Sequence, residues 1–350
     1  MSQRHREKIY DFTGGLNTRD RGAELQEFES PDMKNVLPGK RGGFEIRPGT
    51  QKFRQEPVSS KENEDGSYPP VTSIHEFARE IGTRHLLAFA GDELKRATSE
   101  GWELIRDGFA KNSYFEFIYH PYEDQLLFVN GADGYWETDG FEANKVAAYE
   151  PREFGDPGDA DYINEEVEIG SCVIPEKPKL IAFFDHRVWL ANIDGSSDRI
   201  YFNVDDIDGN RMYNYFTPWS WLRASNVRGE PITALLKFQE YLLVFNQTSI
   251  KAIIPDEPVQ LEEQVYTPPA YRMEDVSTNV GAVSQRAVQD VGGRVVFLSI
   301  DGVYLFDGDS APYKISNRID PTLKNIDQEA WQYVCSGFWD NKYFLSAPTE

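Results

Sequence analysis

The stretch of this sequence closest to a metal-binding loop is Asp206-Ile207-Asp208-Gly209. In a calcium loop, carboxylates alternate along the chain before a glycine, a further oxygen ligand precedes them by two residues, and a glutamate follows. Here Val204 occupies the preceding position and Tyr215 stands where the glutamate is required. Because two ligand positions fail, the pattern favours a solvated hairpin tip over a calcium site.

Motifs that support catalysis are missing from the sequence. The five histidines form no H-E-x-x-H pair, and neither a G-x-S-x-G elbow nor a G-x-x-x-x-G-K loop occurs. Cys172 and Cys335 lie outside any C-x-x-C pair. Glycoside hydrolysis needs two carboxyl groups about 5–10 Å apart, and the 58 acidic residues single out no such pair. We therefore predict a protein that is not an enzyme, with no catalytic residue, metal or other cofactor.

An aromatic cluster lies in an irregular insertion at residues 203–227, and a second, acidic insertion spans residues 147–172. Aromatic rings could form a platform for sugars, but aromatic residues and arginine are also enriched at protein interfaces. Long irregular loops in compact domains often contact partners, so we predict a subunit contact at the first insertion. The residues assigned to it are Arg211, Tyr213, Tyr215, Trp219, Trp221 and Arg223.

The charge of the chain limits its partners. Its 350 residues include 36 Lys and Arg against 58 Asp and Glu, a formal net charge of −22. A nucleic-acid-binding surface needs clustered basic residues, whereas those of this chain are scattered. The charge therefore disfavours binding to DNA or anionic membranes, but it permits DNA to pass an acidic wall without adhering. No apolar stretch approaches the roughly 20 residues of a membrane span, so we expect no membrane anchor.

The elements that must position these residues are strands. Asp-Gly and Asn-Gly pairs, which favour tight hairpin turns, recur between short apolar runs. Six segments repeat one layout, in which an apolar strand, a polar turn and a strongly apolar second strand follow one another. The second strands start near residues 86, 126, 188, 242, 295 and 343. Their mean spacing of about 51 residues is near the period of larger propeller blades.

The predicted fold class is all-β, a six-bladed β-propeller with loop insertions and an N-terminal arm. Second strands that are apolar at nearly every position suit strands covered on both faces, as in stacked blades. A β-sandwich or a pair of barrels is the alternative. Short helical turns are expected at residues 30–36 and 320–326, where a capping residue precedes a proline.

The domain organisation that follows is an arm over residues 1–43 and a propeller over residues 44–350. The last repeat has about two strands before residue 350, and a propeller must close because an open blade edge exposes unpaired backbone groups. Residues 44–54 could supply a closing strand for this blade. Alternatively, the last blade is incomplete here and the natural chain continues.

The N-terminal residues resemble a known family. Asp11-Phe12-Thr13-Gly14-Gly15-Leu16-Asn17-Thr18-Arg19 is similar to the Phe-x-Gly-Gly-Leu-Asn start of many tail proteins of tailed bacteriophages. Further similar segments, in the same order, are Asn35-Val36, Gly43-Phe44-Glu45-Ile46-Arg47-Pro48-Gly49, Arg187-Val188-Trp189-Leu190-Ala191, Asp198-Arg199-Ile200-Tyr201-Phe202 and Gly302-Val303-Tyr304-Leu305-Phe306-Asp307-Gly308. Together they resemble the tail tubular protein B or nozzle family and, more distantly, head-completion and stabilisation proteins.

This resemblance implies a virion structural protein of the phage tail, synthesised in the host cytoplasm. Members of the family are β-propellers that form a homo-oligomeric ring, commonly a hexamer, around the DNA channel below portal and adaptor. The resemblance thus implies contacts with the portal, the adaptor and other tail proteins, and passage of genomic DNA without specific binding.

The same resemblance gives the N-terminal stretch a role as an arm on a neighbouring subunit or on the adaptor. The arm residues are Phe12, Gly14, Gly15, Leu16, Asn17 and Arg19. Nozzle proteins are often much longer, with additional tip domains, so any receptor contact is left open. The alternative function is a carbohydrate-binding or glycan-cleaving β-propeller that uses the aromatic cluster.

Overall fold

The computed structural model describes residues 14–21, 24–26, 28–39, 43–159, 162–225, 229–258 and 266–349. Strands dominate these residues and the helices are short, which confirms the all-β prediction. The chain divides into two compact units. The central unit consists of residues 54–285, and the terminal unit consists of the residues up to 53 together with 286–350. No helix among the described residues is long and apolar enough to cross a membrane.

The first strands of the terminal unit are short and pair locally. β1 (Gly15–Leu16) lies parallel to β2 (Glu29–Ser30), and β3 (Val36–Pro38) lies antiparallel to β4 (Phe44–Ile46). The boundary predicted between residues 43 and 44 therefore falls inside a strand pair. The segment proposed as a closing strand contains β4, whose partner is β3 and not the last repeat.

The helical turn expected at residues 30–36 is absent, and the prediction was wrong. Ser30 belongs to β2, where its carbonyl accepts a hydrogen bond from the Asn17 backbone N–H at 2.9 Å. Asn35 has φ +57°, a left-handed conformation, directly before β3 begins. Because this conformation does not continue a right-handed helix, the segment turns between two strands.

Four four-stranded antiparallel sheets, A to D, form the central unit, and in each the strands follow chain order. Sheet A comprises β5 (Val71–Ala78), β6 (Arg84–Ala90), β7 (Glu93–Ala97) and β8 (Trp102–Arg106); sheet B comprises β9 (Glu116–His120), β10 (Gln125–Val129), β11 (Tyr135–Thr138) and β12 (Ala143–Lys145). The pair β13 (Glu153–Phe154) and β14 (Ile163–Asn164) and helix α1 (Glu165–Glu168) follow. Sheet C comprises β15 (Leu180–Phe184), β16 (Arg187–Ile193), β17 (Ser196–Phe202) and β18 (Trp221–Arg223); sheet D comprises β19 (Ile232–Phe238), β20 (Tyr241–Asn246), β21 (Ile250–Asp256) and β22 (Ala270–Ser277).

Successive sheets of the central unit stack on one another. The first strands β5, β9, β15 and β19 contact each other in that order. Apolar clusters fill the spaces between neighbouring sheets, with Phe89 against Phe128 between A and B, and Trp189 near Leu242 between C and D. Since each inner sheet is covered on both faces, second strands such as Leu126–Val129 are fully buried. This is the arrangement of propeller blades.

The C-terminal part of the terminal unit contains one further four-stranded sheet and a hairpin. Sheet E comprises β23 (Val288–Asp290), β24 (Val295–Ser299), β25 (Gly302–Phe306) and β26 (Tyr313–Lys314); the last hairpin pairs β27 (Cys335–Trp339) with β28 (Lys342–Ser346). Helix α2 (Asp320–Leu323) confirms the helical turn expected at residues 320–326. Single turns of 3-10 helix lie at Gln285–Ala287, Asn317–Ile319 and Trp331–Tyr333.

All six repeats found in the sequence correspond to the first two strands of one sheet. The turns between strands follow their sequence signal, as in the Asp194-Gly195 loop between β16 and β17, where Gly195 has φ +76°. Among the described residues, five sheets have four strands, whereas the last hairpin has two.

Candidate functional site

The two insertions predicted separately pack against each other in the central unit. The Tyr215 hydroxyl donates a hydrogen bond to the Gly170 carbonyl at 2.7 Å, and Trp219 Nε1 donates to the Ile169 carbonyl at 2.7 Å. The Tyr215 ring also stacks on Tyr149, with centroids 4.6 Å apart. The described residues of 147–173 and 203–223 thus form one structure, which we call the insertion module.

An ionic cluster joins the two halves of the insertion module. The Arg152 guanidinium lies 2.9 Å from Glu165 Oε1, 2.9 Å from Asp206 Oδ2 and 3.0 Å from Asp208 Oδ2. Glu165 is fully buried and also accepts hydrogen bonds from the Tyr149 hydroxyl and from the Arg152 backbone N–H. One arginine therefore bridges carboxylates from both insertions.

This cluster accounts for the calcium-like motif of the sequence. Asp206 and Asp208 bind a guanidinium, and Asp206 further accepts hydrogen bonds from Asn210 at 2.7 and 2.9 Å. Asp208 and Gly209 are exposed in a turn between the bridged residues Asp205 and Arg211, as a solvated hairpin tip requires, whereas Asp206 is only 3% exposed and departs from that prediction. In the part of the chain that the structure describes, no group of three or more His, Cys, Asp or Glu side chains is placed to hold a metal ion.

The pKa values of Glu165 and Tyr149 define their protonation states at neutral pH. Burial raises the pKa of the Glu165 carboxyl, but hydrogen bonds from Arg152 and Tyr149 outweigh it, and the net pKa is below its ordinary value. Burial and the hydrogen bond to Glu165 raise the pKa of Tyr149 to about 12. With Glu165 ionised and Tyr149 protonated, the cluster serves to hold the insertions together.

Two of the predicted contact residues face inward. Tyr215 is fully buried in the core between sheets C and D, so its side chain does not reach the surface in this structure. Tyr213 packs against the core between sheets B and C, and its hydroxyl donates to Glu137 Oε2 at 2.6 Å. Both rings are used for packing within the chain, the role that irregular aromatic loops also commonly have.

The other predicted contact residues of the insertion module reach the surface. Trp219 is 40% exposed. Trp221 packs against the Arg199 guanidinium at 3.9 Å from the ring centroid, and Arg223 Nε lies 3.2 Å from Asp198 Oδ2. The structure also places Arg211 on the surface. A subunit contact through Arg211, Trp219, Trp221 and Arg223 stays a prediction.

The N-terminal motif is built into the terminal unit. A Cβ atom on Gly14 would lie 2.4 Å from Phe28 Cδ2 and 2.9 Å from the Phe28 carbonyl oxygen, so only glycine fits there. Gly15 and Leu16 form β1. Asn17 is 1% exposed, and its Nδ2 donates to Glu29 Oε2 at 2.8 Å. Gly14 and Asn17 therefore each have a structural requirement of their own.

Arg318 connects this motif to the C-terminal part of the terminal unit. Its carbonyl accepts hydrogen bonds from the backbone N–H groups of Thr18 and Arg19 at 2.9 and 3.2 Å. Its guanidinium donates to the Gly14 carbonyl at 3.2 Å and lies 3.0 Å from Glu29 Oε1. Sequence reasoning missed Arg318, because a partner about 300 positions away leaves no local pattern.

The predicted role of the arm in contacts between proteins stays a prediction. Gly14, Gly15, Leu16, Asn17 and Arg19 lie against their own unit, and Phe12 lies outside the described residues.

The last hairpin exposes aromatic side chains to a degree that the sequence analysis did not foresee. Trp339 is 71% exposed, Tyr333 52%, Phe344 38% and Phe338 37%, and we call these four residues the hairpin surface. The register places Trp339 and Phe344 on one face of the hairpin and Phe338 on the other. Exposed aromatic residues and open strand edges are typical of interaction sites. The signal in the sequence was the run of aromatic residues on both strands of a blade with only two strands.

Comparison with known proteins assigns this chain to no family. No protein-family model and no curated protein matches the chain. Among solved structures, virginiamycin B lyase from Staphylococcus aureus is similar with a TM-score of 0.46 and 9% identity, over 89% of this chain and 84% of the lyase.

Two further solved structures have lower scores. The β-propeller domain of Cps50 (Swd1) from Myceliophteria thermophila has a TM-score of 0.37 and 14% identity, over 70% of this chain and 72% of that domain. YCF48 from Cyanidioschyzon merolae has a TM-score of 0.35 and 12% identity, over 81% of this chain and 94% of that chain. At this level of similarity none of them assigns a function to this chain.

Proposed function

We propose that this protein is a virion structural protein of a tailed bacteriophage, whose copies form a six-membered ring in the tail. The ring would continue the DNA channel below portal and adaptor and guide the genome during ejection. The proposal rests on the resemblance of the N-terminal motif to phage tail proteins. The observation that supports it is that the fold requires particular residues in this motif. Gly14 has no room for a side chain, and the buried Asn17 amide donates a hydrogen bond to Glu29.

The finer fold that goes with this role is a six-bladed propeller. Sheets A to E each have the four-stranded meander of a blade, and the last hairpin corresponds to the first two strands of a sixth. In the terminal unit β23 contacts β27, the same relation between first strands as in the central unit. Gln289 Nε2 supports this contact by donating to the Ser336 carbonyl at 3.3 Å.

The hairpin surface is the contact through which we propose that copies associate. Trp339 and Phe344 leave apolar area in water, and β28 has no further strand on its outer edge among the described residues. Burying such area against another copy is favourable at about 25 cal/mol per Å² of apolar surface. A ring needs a heterologous contact, in which this surface of one copy meets a different surface of the next.

The charge of the chain is compatible with a DNA conduit. Each copy carries a formal net charge of −22. Like charges repel the phosphate backbone, so a channel formed by such copies would let DNA slide without adhering.

Negative-stain electron microscopy of the purified protein, with the mass measured on the same sample, tests this proposal. We expect rings of about six copies around a hole wide enough for duplex DNA. Trp339→Asp should give single copies, whereas Ile46→Asp, which changes another apolar residue that is 84% exposed, should leave the rings intact. A wild-type protein that stays monomeric at every concentration would contradict assembly by the chain itself.

A further inference from the structure

A cleft of about 520 Å³ lies within the terminal unit, beside the turn that joins β24 to β25. This volume is in the range of small-molecule sites. Leu298 near the end of β24 and Ile300 in the turn line it on one side, and Leu323, Ile326 and Trp331 line it from the segment that follows sheet E. The lining is therefore partly apolar and includes a tryptophan.

One of the two lysines that line the cleft, Lys314, is paired within its own chain. Lys314 Nζ lies 2.9 Å from Asp320 Oδ2 and donates a hydrogen bond to the Asp301 carbonyl. A Cβ atom on Gly302 would lie 2.5 Å from Lys314 Cε, so the glycine provides the space through which the lysine side chain passes. Because Lys314 is held in this way, it is a poor binding group for an incoming anion.

The remaining polar groups of the cleft are accessible. The Asp301 side chain is 60% exposed, although its Oδ2 already accepts a hydrogen bond from the Tyr304 hydroxyl at 3.0 Å and lies 3.5 Å from Lys314 Nζ. The side chains of Gln328 and Lys324 are also exposed. A carboxylate accepts hydrogen bonds, an ammonium donates them and an amide does both. Two lysines and two aspartates line the cleft, so its charges balance.

This combination selects against several classes of ligand. An anion or a cation finds no net charge of opposite sign to bind. A purely apolar ligand would displace water from Asp301 and Gln328 without replacing its hydrogen bonds, which is unfavourable. An uncharged sugar ring suits both the apolar and the polar lining of the cleft. Its C–H groups pack on an aromatic face, while its hydroxyls donate and accept hydrogen bonds.

We propose that this cleft binds an uncharged saccharide, with a sugar ring packed on Trp331 and hydroxyls hydrogen-bonded to Asp301 and Gln328. The inference does not depend on the proposed tail function. It also differs from a sugar platform in the insertion module, since all lining residues belong to the terminal unit.

Saturation-transfer NMR on the full chain tests the proposal with a set of probes. The probes are glucose, galactose, mannose and N-acetylglucosamine, their disaccharides maltose, lactose and chitobiose, and the anion N-acetylneuraminic acid as the charged comparison. We expect at least one neutral probe to bind, with a Kd on the order of 1 mM. Trp331→Ala should weaken that binding about tenfold or more, because stacking on an aromatic ring is lost.

Matched variants separate a binding role from a structural one. Gln328→Ala changes an exposed side chain and should weaken binding severalfold at unchanged thermal stability, while Trp339→Ala, outside the cleft, should bind the sugar as the wild type does. If Trp331→Ala does not fold, Trp331→Phe and Gln328→Ala decide the question. The proposal would be overturned if no neutral probe binds or if the charged probe alone binds. It would also be overturned if the Trp331 and Gln328 variants bind the sugar with the affinity of the wild type.

Discussion

The insertion module and the hairpin surface are both rich in aromatic residues, yet they use them in opposite ways. In the module, Tyr215 is fully buried and Trp219 donates its indole hydrogen bond to the chain itself. On the last hairpin, Trp339 is 71% exposed. Aromatic density therefore does not by itself mark a contact between proteins. What decides is how much structure of the same chain is available to cover the rings.

The covering structure differs because of chain partners that are distant in sequence. Each insertion has the other as its partner, and Arg152 joins them by binding Glu165 and Asp206. The last hairpin has two strands, whereas sheets A to E have four each. The outer edge of the hairpin therefore has no third and fourth strand among the described residues, whereas these strands extend the sheet in A to E.

Tyr215→Ala should have the largest effect on stability. The change removes a fully buried ring, its stacking on Tyr149 and the hydrogen bond to the Gly170 carbonyl. Truncation of a buried aromatic residue costs about 3–5 kcal/mol, and we expect this loss in the free energy of unfolding measured by urea denaturation. Tyr215→Phe keeps the ring and should cost about 1 kcal/mol. A loss below about 1 kcal/mol for the alanine variant would mean that the module does not stabilise the core.

Glu165→Gln should have the next largest effect. The buried carboxylate accepts hydrogen bonds from Arg152 and Tyr149, and the amide cannot replace its charge. Asp206 and Asp208 still bind the partly exposed arginine in this variant. We therefore expect the free energy of unfolding to fall by about 2 kcal/mol, less than for the loss of an isolated buried pair. Urea denaturation at neutral pH measures this difference, and Glu166→Gln, which changes an exposed carboxylate of the same helix, is the control.

The same residue predicts a pH dependence. The pKa of Glu165 is lower in the folded chain than its ordinary value, so its contribution is complete above the unfolded pKa of about 4.3 and disappears as the pH falls through the folded pKa. Acid titration of the free energy of unfolding should therefore show a smaller decrease below about pH 4 in Glu165→Gln than in the wild type. Identical acid profiles would exclude the ionised form of Glu165 as a source of stability.

The parts of the molecule that were predictable from the sequence are those built from neighbouring residues. Strand pairs such as β16 and β17 are separated by a two-residue Asp-Gly loop, so their turn and apolar pattern stand together in the sequence. The Arg152–Asp206 pair spans 54 positions and the Arg318–Gly14 hydrogen bond spans 304. Such contacts leave no periodic signal in the sequence. For this reason the sequence predicted neither the packing of the two insertions on each other nor the contacts that hold the N-terminal motif.

Gly14→Ala tests whether the N-terminal motif resembles the insertion module in being fixed by its own chain. The added Cβ would meet Phe28, including its backbone oxygen, and overpacking of this kind costs about 1–3 kcal/mol. We expect faster amide hydrogen exchange at Asn17 and Thr18, whose N–H groups are bonded to Ser30 and Arg318. Gly49→Ala is the matched control, since nothing lies within 4 Å of its Cβ position. Equal exchange in both variants would show that the motif is not held as described.

Trp339→Ala should have the smallest effect on the stability of the single copy, because most of its side chain already lies in water. We expect the free energy of unfolding to stay within about 0.5 kcal/mol of the wild-type value, in contrast to Tyr215→Ala.

Sedimentation of the same variant should nevertheless show weaker self-association, since the exposed ring is lost from the hairpin surface. A variant that is strongly destabilised would place Trp339 in the same class as Tyr215. A variant that self-associates as the wild type does would remove Trp339 from the contact and leave the aromatic residues of the insertion module as the stronger candidates.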